Sequence, residues 1–269
     1  YEQGFEIALH LHPQWYNARY RNRKWQLDYD EYNLCRLSRP RIEELVGRGI
    51  AYLRNMLASR VFTPLAFRAG NWLFQPTAAA AEVLVERGIK VDSSVFKGGL
   101  QHRHQLNYRP AIGNGFYWRF QRDVNKPDDN GALLEIPIYT QMVPFWQMLT
   151  AKRLALQRRS NTATQKTGGQ AMGRKLGHLR DYLRFQYPLK LDFCRMKLEE
   201  LTRMMEHVIR DDRETPTIFK PIVAIGHTKD LVEGGTIESF LAFLRNRSIA
   251  TSTFKEAFSR CPSRPSASC

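Results

Sequence analysis

A few ionisable residues in this 269-residue chain sit where a short apolar run gives way to a polar turn, and these are the ones placed to do chemistry. His10 and His12 follow Phe5-Glu6-Ile7-Ala8-Leu9, Arg68 follows Leu65-Ala66-Phe67, Asp92 follows Ile89-Lys90-Val91, and His227 follows Ile222-Val223-Ala224-Ile225-Gly226. Two histidines two residues apart in an extended segment project to the same side, so their neutral imidazoles can converge on one divalent cation, zinc or a comparable metal. The plainer alternative is two polar residues at a strand end, held by Pro13 and Trp15. Arg68 can grip a carboxylate in a bidentate fork or form an ordinary ion pair. Asp92 can orient a proton carrier or simply cap a turn. His227 titrates near neutrality and suits proton transfer, although an isolated histidine also serves as structure. Gly70 permits a tight turn or a close backbone approach, and Trp72 and Trp15 are either packing residues or stacking surfaces for a sugar ring. His102, His104, His178 and His207 read as surface residues.

These residues need a scaffold that brings strand ends together, and the apolar pattern supplies one. Short apolar runs alternate with helical stretches, the pattern of an α/β fold with a largely parallel sheet. Phe5 to Leu9 is the first expected strand. Ser38 and Pro40 announce a helix, with Ile42, Leu45, Val46, Ile50, Leu53 and Leu57 at helical spacing. Leu65 to Phe67 is the next strand, Pro76 opens a helix that Gly88 ends, and Ile89 to Val91 follows as a strand. Residues 96 to 130 are rich in Gly, Asn and Asp and predict long loops around one hairpin. Leu133 to Ile138 is a strand ending or bulging at Pro137. Asp192 to Ile209 is expected to be helical, Ile222 to Ile225 a strand, Thr236 a helix cap, and Ile249 to Thr253 a last strand. In parallel sheets the functional face lies at the C-terminal ends of the strands, where His10, His12, Arg68, Asp92 and His227 all fall.

The charge is uneven. Lys+Arg 41 against Asp+Glu 26 leaves a formal +15, and residues 152 to 190 alone hold ten basic residues and one acid. This points to a basic insertion at about 146–190 with a flexible centre, within one domain spanning 1–258 that ends in a disordered tail, 259–269. Leu176, Leu179 and Leu183 recur beside Arg180 and Arg184, so the insertion suits docking on an anionic membrane surface or a lipid-linked glycan. Nucleic acid is disfavoured, because the charge is local and lacks interleaved aromatics for base stacking. Four scattered cysteines without Cys-x-x-Cys spacing exclude a zinc ribbon or a disulfide scaffold. No apolar run approaches the ~18 residues of a membrane span. The compartment stays open between cytoplasm and cell envelope.

Taken in order, Glu6-Ile7-Ala8-Leu9-His10-Leu11-His12-Pro13, Phe67-Arg68-Ala69-Gly70, Val91-Asp92-Ser93-Ser94 and Ile225-Gly226-His227 resemble four motifs of the polysaccharide deacetylases (NodB-homology, carbohydrate esterase family four), within them the WalW-like branch. The resemblance implies a distorted (β/α) barrel and hydrolysis of N-acetyl groups from amino sugars of a surface or cell-envelope polysaccharide. It implies metal ligation by His10 and His12, with Arg68, Asp92 and His227 catalytic. His227 would be the general acid, kept protonated and oriented by Asp92, and Gly70, Asn71, Trp72 and Trp15 would meet the glycan. The family pattern is His-x-x-x-His, whereas this chain has His10-x-His12. The family's Asp-Asp motif would precede Tyr1, so the expectation is a chain lacking its N-terminal strand and inactive as it stands. Two alternatives remain open: an amidohydrolase of small or cyclic amides, and a non-catalytic glycan-binding homologue.

Overall fold

A computed structural model describes residues 4–112, 116–150, 153, 185–232 and 234–261. The chain divides into two compact units rather than one, the first comprising Tyr1–Val95, Gly99–Pro137 and Ser252–Cys269, the second Phe96–Gly98 and Ile138–Thr251.

The first unit is built on a five-stranded sheet. Its strands are β1 (Leu9–Leu11), β4 (Ala66–Ala69), β5 (Val91–Asp92), β8 (Trp118–Phe120) and β9 (Leu133–Glu135). Their order is β1-β4-β5-β9-β8, parallel up to β9, with β8 antiparallel on β9. The strand-helix-strand reading of residues 65 to 91 therefore holds, and the α/β class with it. Two small hairpins branch off, β2 (Arg19–Arg21) with β3 (Lys24–Gln26), and β6 (Leu100–Gln101) with β7 (Leu106–Asn107). Helix α1 (Arg39–Met56) buries Ile42, Leu45, Val46 and Ile50, the stripe its periodicity predicts. Gly49 lets α1 press on β1, since a Cβ there would sit 2.8 Å from Leu11 Cδ2 and 3.0 Å from Leu9 Cδ1. Helix α2 (Ala78–Glu86) packs against α1.

In the second unit, β10 (Thr140–Pro144) and β11 (Gln186–Lys190) pair antiparallel. Leu189 and Leu191 join Met204, Met205 and Phe240 in its core. Parallel bridges link Phe96 to Ile138, Ile138 to Val223 and Asp192 to Ile225.

Several boundaries differ from expectation. The first strand begins at Leu9 rather than Phe5. Its partner β4 starts at Ala66, leaving the apolar run before Leu9 unpaired and Phe5 exposed. The helix expected from Asp192 starts at Leu198 and runs to Glu214, because Asp192 instead accepts the backbone N–H groups of Cys194 and Arg195 in a turn. Ile249 to Thr253 form no strand. Thr253 caps a helix, Phe254–Arg260, with Glu256 reaching back to its N–H. Ser259, Arg260 and the buried Cys261 thus belong to the fold rather than to a tail. Residues 186–190 likewise belong to β11, not to the insertion. The centre of that insertion, 154–184, and the end of the chain from 262 lie outside the described residues, as do the membrane-docking helix at 176–183 and His178. Among the described residues no helix is long and apolar enough to cross a membrane, and Cys35, Cys194 and Cys261 are buried.

Candidate functional site

Strand alternation sets up the first cluster. Leu9 and Leu11 are buried and His10 between them is exposed, so β1 presents His10 on the opposite side from its core residues. The register places His10 beside Arg68 of β4. His10 Nδ1 donates to the Arg68 carbonyl at 2.9 Å, which fixes the tautomer and leaves Nε2 with its lone pair. His12 Nε2 lies 3.0 Å from that atom, and the rings meet edge to face at 82°. Protein atoms crowd the His10 ring although its edge is exposed. This desolvation, and secondarily the Arg68 charge, lowers its pKa against the raising effect of the carbonyl, so it stays neutral. His12 is approached from behind by Gln14 Nε2, 3.4 Å from Nδ1.

The pair passes a test for a divalent cation. With metal–nitrogen bonds of about 2.1 Å, two Nε2 atoms 3.0 Å apart subtend roughly 90° at a shared ion. Without a cation, His12 Nε2–H donates to His10 Nε2 and Gln14 donates to His12 Nδ1. That leaves Gln14 Oε1 a buried acceptor with no donor among the described residues. Rotating the Gln14 amide turns Oε1 onto His12 Nδ1–H and frees both Nε2 lone pairs. Among the described residues no third His, Cys, Asp or Glu completes a ligand cluster.

Gly70 holds this geometry. A Cβ there would collide with the Leu11 carbonyl oxygen and lie 2.9 Å from His12 Nδ1, so glycine is what allows the end of β4 to pass behind His12. Asn71 and Trp72 follow with φ of 57° and 60°, a left-handed pair that a tryptophan adopts only at a cost. The turn is secured by Tyr108, fully buried, whose hydroxyl donates to the Trp72 carbonyl at 2.7 Å and accepts from Phe74 N–H. Asn71 Nδ2 is a buried donor without an acceptor among the described residues. Trp72 is half-buried, and Trp15 is exposed, its N–H bonded to the His12 carbonyl.

Beneath the histidines lies a buried charged network. Asp92 and Glu135 are register partners on β5 and β9, both fully buried. Asp92 accepts from Ser94 Oγ (2.7 Å) and Ser94 N–H, and Glu135 Oε1 accepts from Val95 N–H, while Glu135 Oε2 is buried with no hydrogen-bond partner among the described residues. Burial raises both pKa values, and the neighbouring Asp92 charge adds to the rise of Glu135, which goes well above the usual range. The largely desolvated Arg68 guanidinium offsets the carboxylate charge and donates to the Ser93 carbonyl and hydroxyl. Arg68 therefore ties β4 to β5, and Asp92 serves as the turn cap its position at a strand end allowed.

In the second unit His227 Nδ1 lies 4.0 Å from Asp192 Oδ2. Arg195 donates to Asp230 at 2.7 Å and stands 3.9 Å from Asp192. Burial lowers the His227 pKa more than Asp192 raises it, and burial raises that of Asp192. The expected resting imidazolium is thus replaced by a neutral ring, and the carboxylate beside it within this unit is Asp192. Nearby in sequence, Lys190 lies over the Phe96 ring at 4.2 Å, and burial brings its pKa down to about 8.

No protein-family model, curated protein or solved structure matches the chain.

Proposed function

We propose that the protein is a metal-dependent hydrolase that removes N-acetyl groups from amino sugars of a polysaccharide, on a sheet that belongs to a distorted (β/α) barrel. The observation that supports it best is the convergence of His10 Nε2 and His12 Nε2 at 3.0 Å, at the C-terminal end of a parallel strand. A divalent cation, zinc by the preference of imidazole ligands, would supply an acidified water and polarise the acetamide carbonyl. Every other task falls to side chains. His10 and His12 hold the ion, each tautomer set from behind, by the Arg68 carbonyl and by Gln14. Arg68 is a positioning residue, since its guanidinium is spent on Ser93. Asn71 and Trp72 shape the turn beside the pair, and Trp15 is the candidate stacking ring.

His227 is assigned proton transfer, and because its resting form is neutral it must first take up the proton it delivers, with Asp192 beside it stabilising the charged form. Asp92, with no exposed surface, supports the strand ends.

The test is acetate release from N-acetylated chitooligosaccharides by the zinc-loaded full-length protein, with a cyclic ureide as the competing substrate. Acetate release that disappears in His10→Ala supports the proposal. Turnover of the ureide alone, or acetate release unaffected by His10→Ala, overturns it.

A further inference from the structure

The β2–β3 hairpin plays no part in the chemistry above. Both of its strands are exposed along their whole length. Its register pairs Tyr20 with Trp25, whose rings lie 5.3 Å apart, and Trp25 meets Trp15 at 6.0 Å. The three rings form one surface while remaining 61 %, 55 % and 49 % exposed for Tyr20, Trp25 and Trp15. Soluble proteins seldom leave three adjoining large aromatics open to water without a ligand for them.

Alternation puts Arg19, Arg21 and Lys24 on the other face of the ribbon, and Arg23 stands in the turn. No acid occurs between Asn17 and Leu27. Arg19, Arg21 and Arg23 form no ion pair among the described residues. The base of the ribbon is clamped where Asp28 N–H donates to the Gln14 carbonyl, Asn17 Nδ2 donates to Asp28, and Arg41 donates to Asn17.

We propose that this hairpin is a binding platform for an acidic polysaccharide, its pyranose rings stacking on Tyr20, Trp25 and Trp15 and its uronate carboxylates drawn by the arginines. Ring faces suit the C–H faces of sugars, while the basic residues, on the opposite face and in the turn, draw an anionic polymer through their field rather than by direct pairing. The inference rests on the hydrolase reading for its choice of glycan over nucleic acid, because Trp15 is bonded directly to the backbone of His12. It deepens that reading by naming the substrate as anionic.

Calorimetric titration tests it without any turnover. The probes are hyaluronan oligosaccharides, which carry both uronate and N-acetylated amino sugar, neutral chitooligosaccharides of equal length, and a thymidine 20-mer. Hyaluronan is expected to bind most tightly and to weaken as salt rises. Trp25→Ala should lose roughly tenfold in affinity, the weight of one stacking contact, while Trp25→Phe retains most of it. Arg19→Gln with Arg21→Gln should weaken hyaluronan several-fold at low salt, leave the neutral sugar unchanged, and flatten the salt dependence. Equal affinity of Trp25→Ala and the unaltered protein, salt-independent binding of both sugars alike, or tighter binding of the 20-mer would each overturn the platform. Platform-dependent hyaluronan binding in a protein that releases no acetate would leave this inference standing and remove the hydrolase reading. Acetate release with every platform variant unaltered in binding would do the reverse.

Discussion

Replacing Glu135 separates two roles that one buried carboxyl can have. Its Oε1 accepts from Val95 N–H at 3.0 Å, and its other oxygen, Oε2, is buried with no hydrogen-bond partner among the described residues. Glu135→Gln keeps the acceptor for Val95 N–H in nearly the same shape, so its cost at pH 5 is expected to be below about 1 kcal/mol. Glu135→Leu leaves Val95 N–H without its acceptor in a region closed to water, so the loss should reach about 1–3 kcal/mol. The two substitutions also differ in pH dependence. Burial and the Asp92 charge raise the folded-state pKa of Glu135 above its ordinary 4.5. Above that pH the folded chain keeps a proton that the unfolded chain gives up, so stability must fall as pH rises, by up to about 1.4 kcal/mol per pH unit for one proton, until the folded carboxyl itself ionises. Glutamine cannot titrate, so this slope should be missing from Glu135→Gln, which overtakes the unaltered protein in stability as pH rises toward neutrality. Urea unfolding at half-unit intervals from pH 4.5 to 8 measures both effects. If the unaltered protein and Glu135→Gln show the same slope, Glu135 does not keep its proton in the folded chain.

Three further outcomes are expected. Gly70→Ala places a methyl against the Leu11 carbonyl and His12 Nδ1, so it should cost about 1–3 kcal/mol of overpacking and weaken cation binding by displacing His12, read from thermal melts and zinc titration of one sample. Lys190 has its folded pKa lowered to about 8 from 10.5, so between those values the unfolded chain holds a proton that the folded chain lacks and stability rises with pH; Lys190→Met should abolish that rise and stabilise the protein below pH 8, by denaturation across pH 7 to 10.5. Removing the Asp192 charge with Asp192→Asn takes away what raises the His227 pKa, so the His227 imidazole signal in NMR should titrate at lower pH than before, and an unmoved titration would separate the two residues.

Much of the scaffold around the histidines could be read from the chain because local and tertiary preferences agree there. The Ile42-Leu45-Val46-Ile50 stripe has one period and one face to bury, and Leu65 to Val91 is a strand-helix-strand unit closed within 30 residues. The first strand starts four residues later than its apolar run because Phe5, Ile7 and Leu9 look alike in sequence, and the position of β4 decides which of them pairs. Thr253 and Glu256 carry a capping-box signature in the sequence, which outweighs the β-propensity of the preceding residues. Within the site, the spacing of His10 and His12 already implied one face, whereas their bond partners did not show. Glu135 was hidden inside an apolar strand, where a buried acid signals a partner, and Asp92 was the acid to look for. Tyr108 and Asp192 had no local signal, since one acts through a hydroxyl reaching across 36 positions to Trp72 and the other through a turn taken for a helix start. Gly70 was recognisable as a point of close approach, but what it approaches is set by the register of β1 and β4.

The central claim is that His10 and His12 together hold a divalent cation. Cobalt(II) substitution followed by absorption spectroscopy addresses it directly, because imidazole ligation gives the ion visible bands that water alone does not. In the full-length protein one cobalt per chain is expected, displaceable by zinc, with the bands and the binding lost in both His10→Ala and His12→Ala while each variant remains folded. Unchanged cobalt spectra and stoichiometry in those two variants would contradict it.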